Sequence, residues 1–171
     1  MASIFGHGIV AYTVSRVIDR KKITLLVLLA ILSSILPDFD VIAFKFGIPY
    51  SHPFGHRGFT HSILFAILWA VIVSVLVGKK EKLIYFLVLF FSTVSHGLLD
   101  AITTGGRGVG FFIPFENSRY FLPTRVIQVS PLGVEEFFSE WGIRVLISEL
   151  KYIAIPCCII LITLFIINKF K

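Results

Sequence analysis

Five apolar runs separated by short polar or basic turns constrain the fold of this chain most strongly. The runs cover residues 3–18, 23–36, 63–77, 83–93 and 150–167. A straight transmembrane helix needs roughly 20 predominantly apolar residues, and several of these runs approach that length. In addition, 56% of the 171 residues are hydrophobic and only 15% are charged, with a mean hydropathy of +0.90. This composition predicts an integral membrane protein.

The predicted fold class is all-α, a polytopic transmembrane bundle of about five helices. A bilayer admits only helices and closed barrels, and the runs are too long for barrel strands. The 171 residues are predicted to form one membrane-embedded domain, residues 1–171. Its helices are expected at about 3–19, 23–36, 60–77, 82–104 and 145–168. Glycines and prolines interrupt the polar-aromatic segment at about 105–143, which predicts irregular structure outside the membrane. Whether residues 3–18 cross the membrane or lie along it stays open.

The lysines predict the orientation of this bundle. Seven of the nine lysines lie in the turn after the first run, in the turn after the third run, or at the C-terminus: Lys21, Lys22, Lys79, Lys80, Lys82, Lys169 and Lys171. By the positive-inside rule these three places are cytoplasmic, in a multi-pass protein of the cytoplasmic membrane. The net charge of +6 therefore reflects anchors at helix ends. A nucleic-acid interface, which needs basic residues clustered on a polar surface, is not expected.

Every histidine and three of the four aspartates fall on the opposite, non-cytoplasmic side of this topology. They lie at the ends of four runs or in the loop between the second and third: His7, Asp38, Asp40, His52, His56, His61, His96 and Asp100. The topology was assigned from lysines alone, so this convergence is an independent observation. It predicts a functional site at the outer end of the bundle.

The residue types and their spacing point to a metal. His96 and Asp100 lie one helical turn apart on one face, and Asp38 and Asp40 follow the helix-ending Pro37. Imidazole with carboxylate is a ligand set for zinc, manganese or iron rather than calcium or an iron–sulfur cluster. A bound metal would polarise a phosphoryl or carbonyl oxygen and supply hydroxide near neutral pH.

Each candidate also has an ordinary structural explanation. A histidine and an aspartate four residues apart can form a simple hydrogen-bonded pair, and Pro37-Asp38 can merely stop a helix. Glu149 can cap the last run or meet headgroups, although an ionisable group entering a bundle is a functional candidate. His52, beside a proline, is expected to be a surface-loop residue. Thr60 is predicted to be the N-cap of the third helix.

The candidate residues, in their sequence context, resemble a known family. His7, Pro37-Asp38-x-Asp40, His56-Arg57-x-x-Thr60-His61-Ser62 and Ser95-His96-x-x-x-Asp100 resemble the YdjM-type membrane-bound metal-dependent hydrolases. The segments Ser130-Pro131, Phe137-Phe138-Ser139-Glu140-Trp141-Gly142 and Ser148-Glu149-Leu150 are similar to the C-terminal part of that family. The family is in turn distantly similar to zinc-dependent phospholipase C and P1 nuclease, which are all-helical phosphodiesterases.

The resemblance implies a divalent-metal site at the outer rim of the bundle, with zinc as the first expectation and manganese as the alternative. The metal ligands it implies are His7, an aspartate from Asp38 and Asp40, His61, His96 and Asp100. Together with the candidates that the residues themselves suggest, the expected ligand set is His7, Asp38, Asp40, His56, His61, His96, Asp100 and Glu149. The phosphodiesterases carry a second His-x-x-x-Glu/Asp pair, whereas Val145 stands four residues before Glu149 here. One or two ions are therefore expected rather than three.

The expected function is metal-dependent hydrolysis of a phosphoester, such as a membrane lipid or a lipid-linked headgroup that arrives from the outer leaflet. The catalytic residues in this scheme are His56, Arg57 and Asp40. His56 is either a ligand or the general acid or base, and Arg57 steadies the phosphate. Asp38 or Asp40 orients the attacking water. The alternatives are a non-enzymatic protein that binds or transports metal, and a metal-dependent membrane amidase or peptidase.

Overall fold

A computed structural model describes residues 1–131 and 133–170 of the chain. The described residues form helices and connecting loops, and they contain no β-strand, only two isolated bridges. The α-helices are α1 (Ile4–Ile18), α2 (Thr24–Ile35), α3 (Ile63–Val77), α4 (Lys82–Ala101), α5 (Val134–Phe137), α6 (Glu140–Glu149) and α7 (Ile155–Lys169).

Three helical stretches are long and apolar enough to cross a membrane. They are Thr24–Phe46, Lys79–Ala101 and Glu140–Lys169, of 23, 23 and 30 residues. The apolar helices α1 and α3 have 15 residues each, which is shorter than a straight span. The protein is thus an all-helical membrane protein with several apolar helices, while a total of about five crossings stays a prediction.

The helix that begins with α2 runs ten residues beyond the expected end at residue 36. Leu36–Phe46 continues it in 3₁₀ geometry, with Pro37 in the first turn. Proline has no backbone N–H to donate to the preceding turn, so the change to tighter turns falls where that hydrogen bond is missing. The continuation carries Asp38 and Asp40, whose side chains are buried.

The core of the bundle lies between α1, α2, α3 and α4. Its centre contains small side chains, including Ala11, Ala30 and Ala70, together with Leu26 and Leu89. Alanine at the contact between membrane helices lets their backbones approach closely. This close packing brings the ends of separate helices into contact, and it positions the site.

Contacts between α1 and α4 establish the direction of the helices. The α1–α2 turn meets the segment before α4 through an ion pair between Lys21 and Glu81. At the opposite end, the ring of His7 in α1 stacks on the ring of His96 in α4, with 3.9 Å between centroids. The basic turns and the histidine cluster therefore lie at opposite ends of the bundle. Which end faces the cytoplasm stays a prediction.

Two details differ from the expected helix boundaries. The cap of α3 is Ser62, whose hydroxyl accepts a hydrogen bond from the N–H of Phe65. The prediction of Thr60 was wrong, because the Thr60 hydroxyl donates to Asp40 instead. The last helical stretch begins at Glu140 and not at 145, and a π-helical turn at Leu150–Ala154 joins α6 to α7.

Candidate metal centre

Three helical segments bring four ligand-type side chains to one buried point. Asp38 comes from the 3₁₀ continuation of α2, His61 from the turn before α3, and His96 and Asp100 from the last turns of α4. One ligand atom from each of these four residues lies within 4.8 Å of all the others. These residues are at most 9% exposed. The arrangement can hold a metal ion.

His96 presents its Nε2 atom to the centre. Its Nδ1 lies 2.6 Å from the carbonyl oxygen of Ser34. A carbonyl oxygen can only accept, so Nδ1 carries the proton and donates it. In the neutral imidazole Nε2 is then an unprotonated nitrogen. The contact with α2 thereby selects the tautomer that a metal needs.

His61 faces His96 through its own Nε2 atom, at a distance of 3.0 Å. The Nδ1 of His61 lies 3.2 Å from an oxygen of Asp40, which accepts its proton. Two unprotonated nitrogens repel each other at this separation. A cation, either a proton or a metal ion, therefore has to lie between them.

The carboxylates around His61 favour positive charge at this position. Burial alone lowers the pKa of His61, but hydrogen bonds and charge from Asp100, Asp38 and Asp40 outweigh burial and raise the pKa to about 10. Because three carboxylates surround His61, the electrostatic potential there is negative. A divalent cation that displaces the proton of His61 is therefore favoured.

Asp38 and Asp100 complete the group of four. Oδ1 of Asp38 lies 3.4 Å from Nε2 of His96 and 3.7 Å from Nε2 of His61. Oδ2 of Asp100 lies 3.9 Å and 3.7 Å from the same two nitrogens. Ligands about 2.0–2.1 Å from a tetrahedral zinc are roughly 3.3 Å from one another. The four nitrogen–oxygen distances would have to shorten only slightly to match this geometry.

The hydrogen-bond inventory supports the same interpretation. Both carboxylate oxygens of Asp38 and Oδ2 of Asp100 are buried and have no hydrogen-bond partner among the described residues. Buried carboxylate oxygens are normally hydrogen-bonded, paired or bound to a metal. Oδ2 of Asp100 is nevertheless paired with Nε of Arg57 at 3.0 Å, so it is Asp38 whose carboxylate most needs a cation at the centre. The residues present therefore fit a divalent metal ion.

Asp40 is a hub of hydrogen bonds next to this group. One of its oxygens contacts Nδ1 of His56 at 2.6 Å. The other accepts from the backbone N–H of Arg57 at 2.9 Å and from the hydroxyl of Thr60 at 2.8 Å, and lies near Nδ1 of His61. Asp40, His56 and His61 are also close enough together to hold an ion. The oxygens of Asp40 are already engaged, however, so the geometry favours an orienting role.

Arg57 is buried beside the centre and is 1% exposed. Its Nε atom lies 3.0 Å from Oδ2 of Asp100. Its terminal nitrogens donate to the carbonyl of Gly105 at 3.1 Å and to the hydroxyl of Thr103 at 3.2 Å. Gly106 lies against the guanidinium, where a Cβ atom would collide with it. The glycine-rich loop after α4 thus holds the arginine in place.

His7 and Glu149 lie beside the group of four and do not belong to it. Nε2 of His7 is 3.5 Å from Oδ1 of Asp100, the oxygen that faces away from the centre and also accepts from the N–H of Ala2. The carboxylate of Glu149 accepts from the N–H and the hydroxyl of Ser3, at 2.5 Å each. That contact ties the last helical stretch to the cap of α1.

Two further residues, one predicted and one missed, shape the loop before α3. His52 is exposed, as expected for a surface-loop residue, and its ring accepts from the N–H of Phe54. Arg119 donates to the carbonyls of Tyr50, His52 and His56. It therefore fixes the loop that presents His56. A single arginine in a loop carries no sequence signal for this role.

A cavity of about 430 Å³ adjoins the centre on the side of His56 and Arg57. Its other walls come from the loop between the 3₁₀ segment and α3, from the glycine-rich loop, and from the stretch that leads into the first turn of α6; they include Tyr50, Gly106 and Trp141. The guanidinium of Arg57 and the ring of His56 thus border a space that a small molecule can enter.

Fold and site together define a helical membrane protein with a buried histidine–aspartate cluster suited to a metal ion. The chain belongs to the YdjM inner membrane protein family, whose model matches residues 1–170. It is 38% identical over 161 residues to inner membrane protein YbcI of Escherichia coli (strain K12), a match that covers 91% of this chain and 92% of the relative. No solved structure matches the chain.

Proposed function

We propose that this protein is a membrane-bound metal-dependent hydrolase that cleaves a phosphoester in a lipid or lipid-linked headgroup. The observation that carries the proposal is the meeting of two imidazole nitrogens and two carboxylates at one buried point, where neither oxygen of Asp38 has a hydrogen-bond partner among the described residues. A structural role for such a cluster would leave those oxygens unsatisfied, at a cost of about 1–3 kcal/mol or more for each group.

Asp38, His61, His96 and Asp100 are the proposed ligands, and zinc is the ion that their donor set and spacing suit best. A metal bound there would act as a Lewis acid and lower the pKa of a coordinated water to near 7. The four proposed ligands, two carboxylates and two neutral imidazoles, together carry a charge of −2. One divalent ion balances this charge.

His56 is the proposed general acid or base. Its Nδ1 is held at 2.6 Å by Asp40, and the ring lines the cavity. A carboxylate on one ring nitrogen fixes the orientation of the imidazole and leaves the other nitrogen to exchange a proton with the reacting groups. This geometry favours His56 as a proton carrier rather than a ligand. Asp38, through its oxygen not used in ligation, is the candidate to orient the attacking water.

Arg57 is the proposed phosphate contact. Its guanidinium borders the cavity and is already fixed by Asp100, Thr103 and Gly105. A pre-positioned guanidinium loses little freedom when phosphate binds. Phosphate beside Arg57 would also lie close to the metal ligand Asp100, as a hydrolytic centre requires.

A lipid substrate is supported by the location of the site. The cluster lies at the end of the membrane helices opposite the lysine turns, which the positive-inside rule assigns to the cytoplasm. A headgroup in the outer leaflet could therefore reach the cavity without leaving the membrane. The distant similarity to zinc-dependent phospholipase C and P1 nuclease, based on His96-x-x-x-Asp100 and the preceding Asp and His61, agrees with phosphodiester chemistry and remains part of the proposal.

Metal analysis and turnover of the detergent-purified full chain test the proposal. We expect about one zinc per chain by plasma mass spectrometry and hydrolysis of bis(p-nitrophenyl) phosphate that EDTA abolishes and zinc restores. His96→Ala should lose both metal and turnover, whereas His52→Ala, at an exposed histidine, should retain both. Bound metal without hydrolysis of any phosphoester would instead indicate a metal-binding protein. Absence of metal would reject the site itself.

A further inference from the structure

A second cavity lies at the lysine-rich end of the bundle, far from the histidine cluster. It has a volume of about 730 Å³ and is formed between the C-terminal halves of α1 and α7. The two helices run in the same direction and are in contact near their beginnings, where Gly6 lies against Ile153. Farther along, the cavity separates them.

The rim of this cavity is cationic. Arg16, Arg20, Lys22 and Lys169 line it, and within the described part of the chain none of them has a carboxylate at ion-pair distance. Lys21, the neighbouring lysine, does have one, in Glu81. The rim therefore presents four positive charges that no carboxylate of the described residues pairs with.

Asp19 is the single carboxylate among the lining residues, and it is engaged elsewhere. Its two oxygens accept from the backbone N–H groups of Lys21 and Ile23, at 2.9 Å and 2.6 Å. It is 2% exposed. Asp19 thus holds the α1–α2 turn together and leaves the rim with a net positive charge.

The walls below the rim are apolar. They include Val17 of α1 and Leu161, Leu164 and Phe165 of α7. Val17 also borders an adjoining apolar groove of about 320 Å³ between α1, α4 and α7. A cationic rim above a continuous apolar path matches a molecule with an anionic head and a hydrocarbon tail.

We propose that this cavity binds an anionic phospholipid of the same leaflet as the lysine turns. The phosphate would contact the four rim cations, and an acyl chain would lie between α1 and α7. Basic pockets between membrane helices suit lipid phosphate groups. Inorganic phosphate would use the rim and not the apolar walls, whereas a phospholipid uses both. The site is separate from the hydrolytic centre, so its occupancy does not depend on catalysis.

Native mass spectrometry of the detergent-purified full chain, titrated with single lipids, tests this inference. We expect one phosphatidylglycerol to be retained at concentrations where phosphatidylcholine is not. Arg16→Gln combined with Arg20→Gln should weaken phosphatidylglycerol binding on the order of tenfold, because two charge contacts at a membrane surface are lost. Lys79→Gln with Lys80→Gln removes the same charge at the same end, outside the cavity, and should leave binding unchanged.

Lys169→Gln provides a second test from α7 and should weaken binding even if the double arginine variant does not fold. Equal retention of phosphatidylcholine, or an equal loss in the Lys79/Lys80 control, would overturn the proposal. In that case the basic residues serve only as general anchors of the membrane topology. Displacement of the bound lipid by inorganic phosphate alone would also contradict it, because the apolar walls would then contribute nothing.

Discussion

The two ends of the helical bundle handle charge in opposite ways. At one end, Asp38, Asp100, His61 and His96 are buried and contact one another. At the other end, the lysines are exposed, and the Lys21–Glu81 pair is the one ion pair that the described residues form there. Both ends are rich in ionisable residues, yet only one of them buries a group of ionisable side chains in contact with one another.

The end with the histidine cluster is therefore the energetically costly part of the bundle. Burying an unpaired carboxylate costs several kcal/mol, whereas an exposed lysine at a membrane boundary costs little. A protein that needed charge only for orientation would place all of it at the surface. The buried cluster is therefore the part of the molecule that needs a functional explanation.

The largest expected effect is the opposite exposure of the two ends to the outside of the cell. In a chain with Cys157→Ala and Cys158→Ala, His52→Cys should react with a membrane-impermeant maleimide on intact cells. Lys80→Cys should react only after permeabilisation, because the basic turn is cytoplasmic under the positive-inside rule. Gel shifts measure both. The reverse pattern would place the cluster on the cytoplasmic side and remove the outer-leaflet substrate.

The next effect is the loss of metal affinity in Asp38→Asn. The substitution keeps the shape of the side chain and, since both oxygens of Asp38 have no partner among the described residues, breaks no hydrogen bond of the protein. Structural zinc binding is worth about 10–16 kcal/mol, or roughly 3 kcal/mol per ligand, so affinity should fall roughly 100-fold. Isothermal titration with zinc measures the change. Unaltered affinity would remove Asp38 from the ligand set.

A smaller effect is expected from Asp40→Asn, which alters the hydrogen bonds that orient His61 and His56. Loss of a carboxylate behind a metal-bound histidine typically costs 10–100-fold in metal affinity or activity. Asp19→Asn is the matched control, because Asp19 is also a buried carboxylate that accepts backbone N–H groups, but at the other end. Metal titration should show a loss of affinity in Asp40→Asn and no loss in Asp19→Asn. Equal losses would mean that Asp40 acts through general stability.

The smallest effect is expected from Glu81→Gln at the lysine end. The Lys21–Glu81 pair is partly exposed, and exposed ion pairs contribute about 0–1 kcal/mol. The free energy of unfolding in detergent should fall by less than about 1 kcal/mol, and metal content should not change. A loss of metal in this variant would show that the ion pair at the lysine end affects the metal centre at the other end of the bundle.

Much of the fold was predictable from local patterns. The apolar runs predicted helices close to α1, α2, α3 and α4, because length and hydrophobicity are sufficient to identify membrane helices. The sequence does not predict the extension of α2 to Phe46, since a proline indicates a helix end, whereas Pro37 here begins a tighter 3₁₀ continuation. The cap of α3 was misplaced by two residues because Thr60 has a competing acceptor, Asp40, distant in sequence.

The site was predictable as a set of residues and not as a set of roles. His96 and Asp100 share a helical face, and their neighbourhood followed from their spacing. Whether His7, His56, Asp40 and Glu149 act as ligands depends on contacts that no local pattern records. In the structure Glu149 contacts Ser3, which is 146 residues away.

The sequence by itself determined that this chain is a helical membrane protein with basic residues at one end and histidines and aspartates at the other. That information is local, because hydrophobic length, charge and helical spacing act over a few neighbouring residues. It is packing between helices that makes Asp38 face the Nε2 atoms of His61 and His96 and makes Asp40 contact the rings of His56 and His61. The same packing lets the carbonyl of Ser34 select the tautomer of His96. These assignments depend on distances between separate helices, and such distances are set by packing.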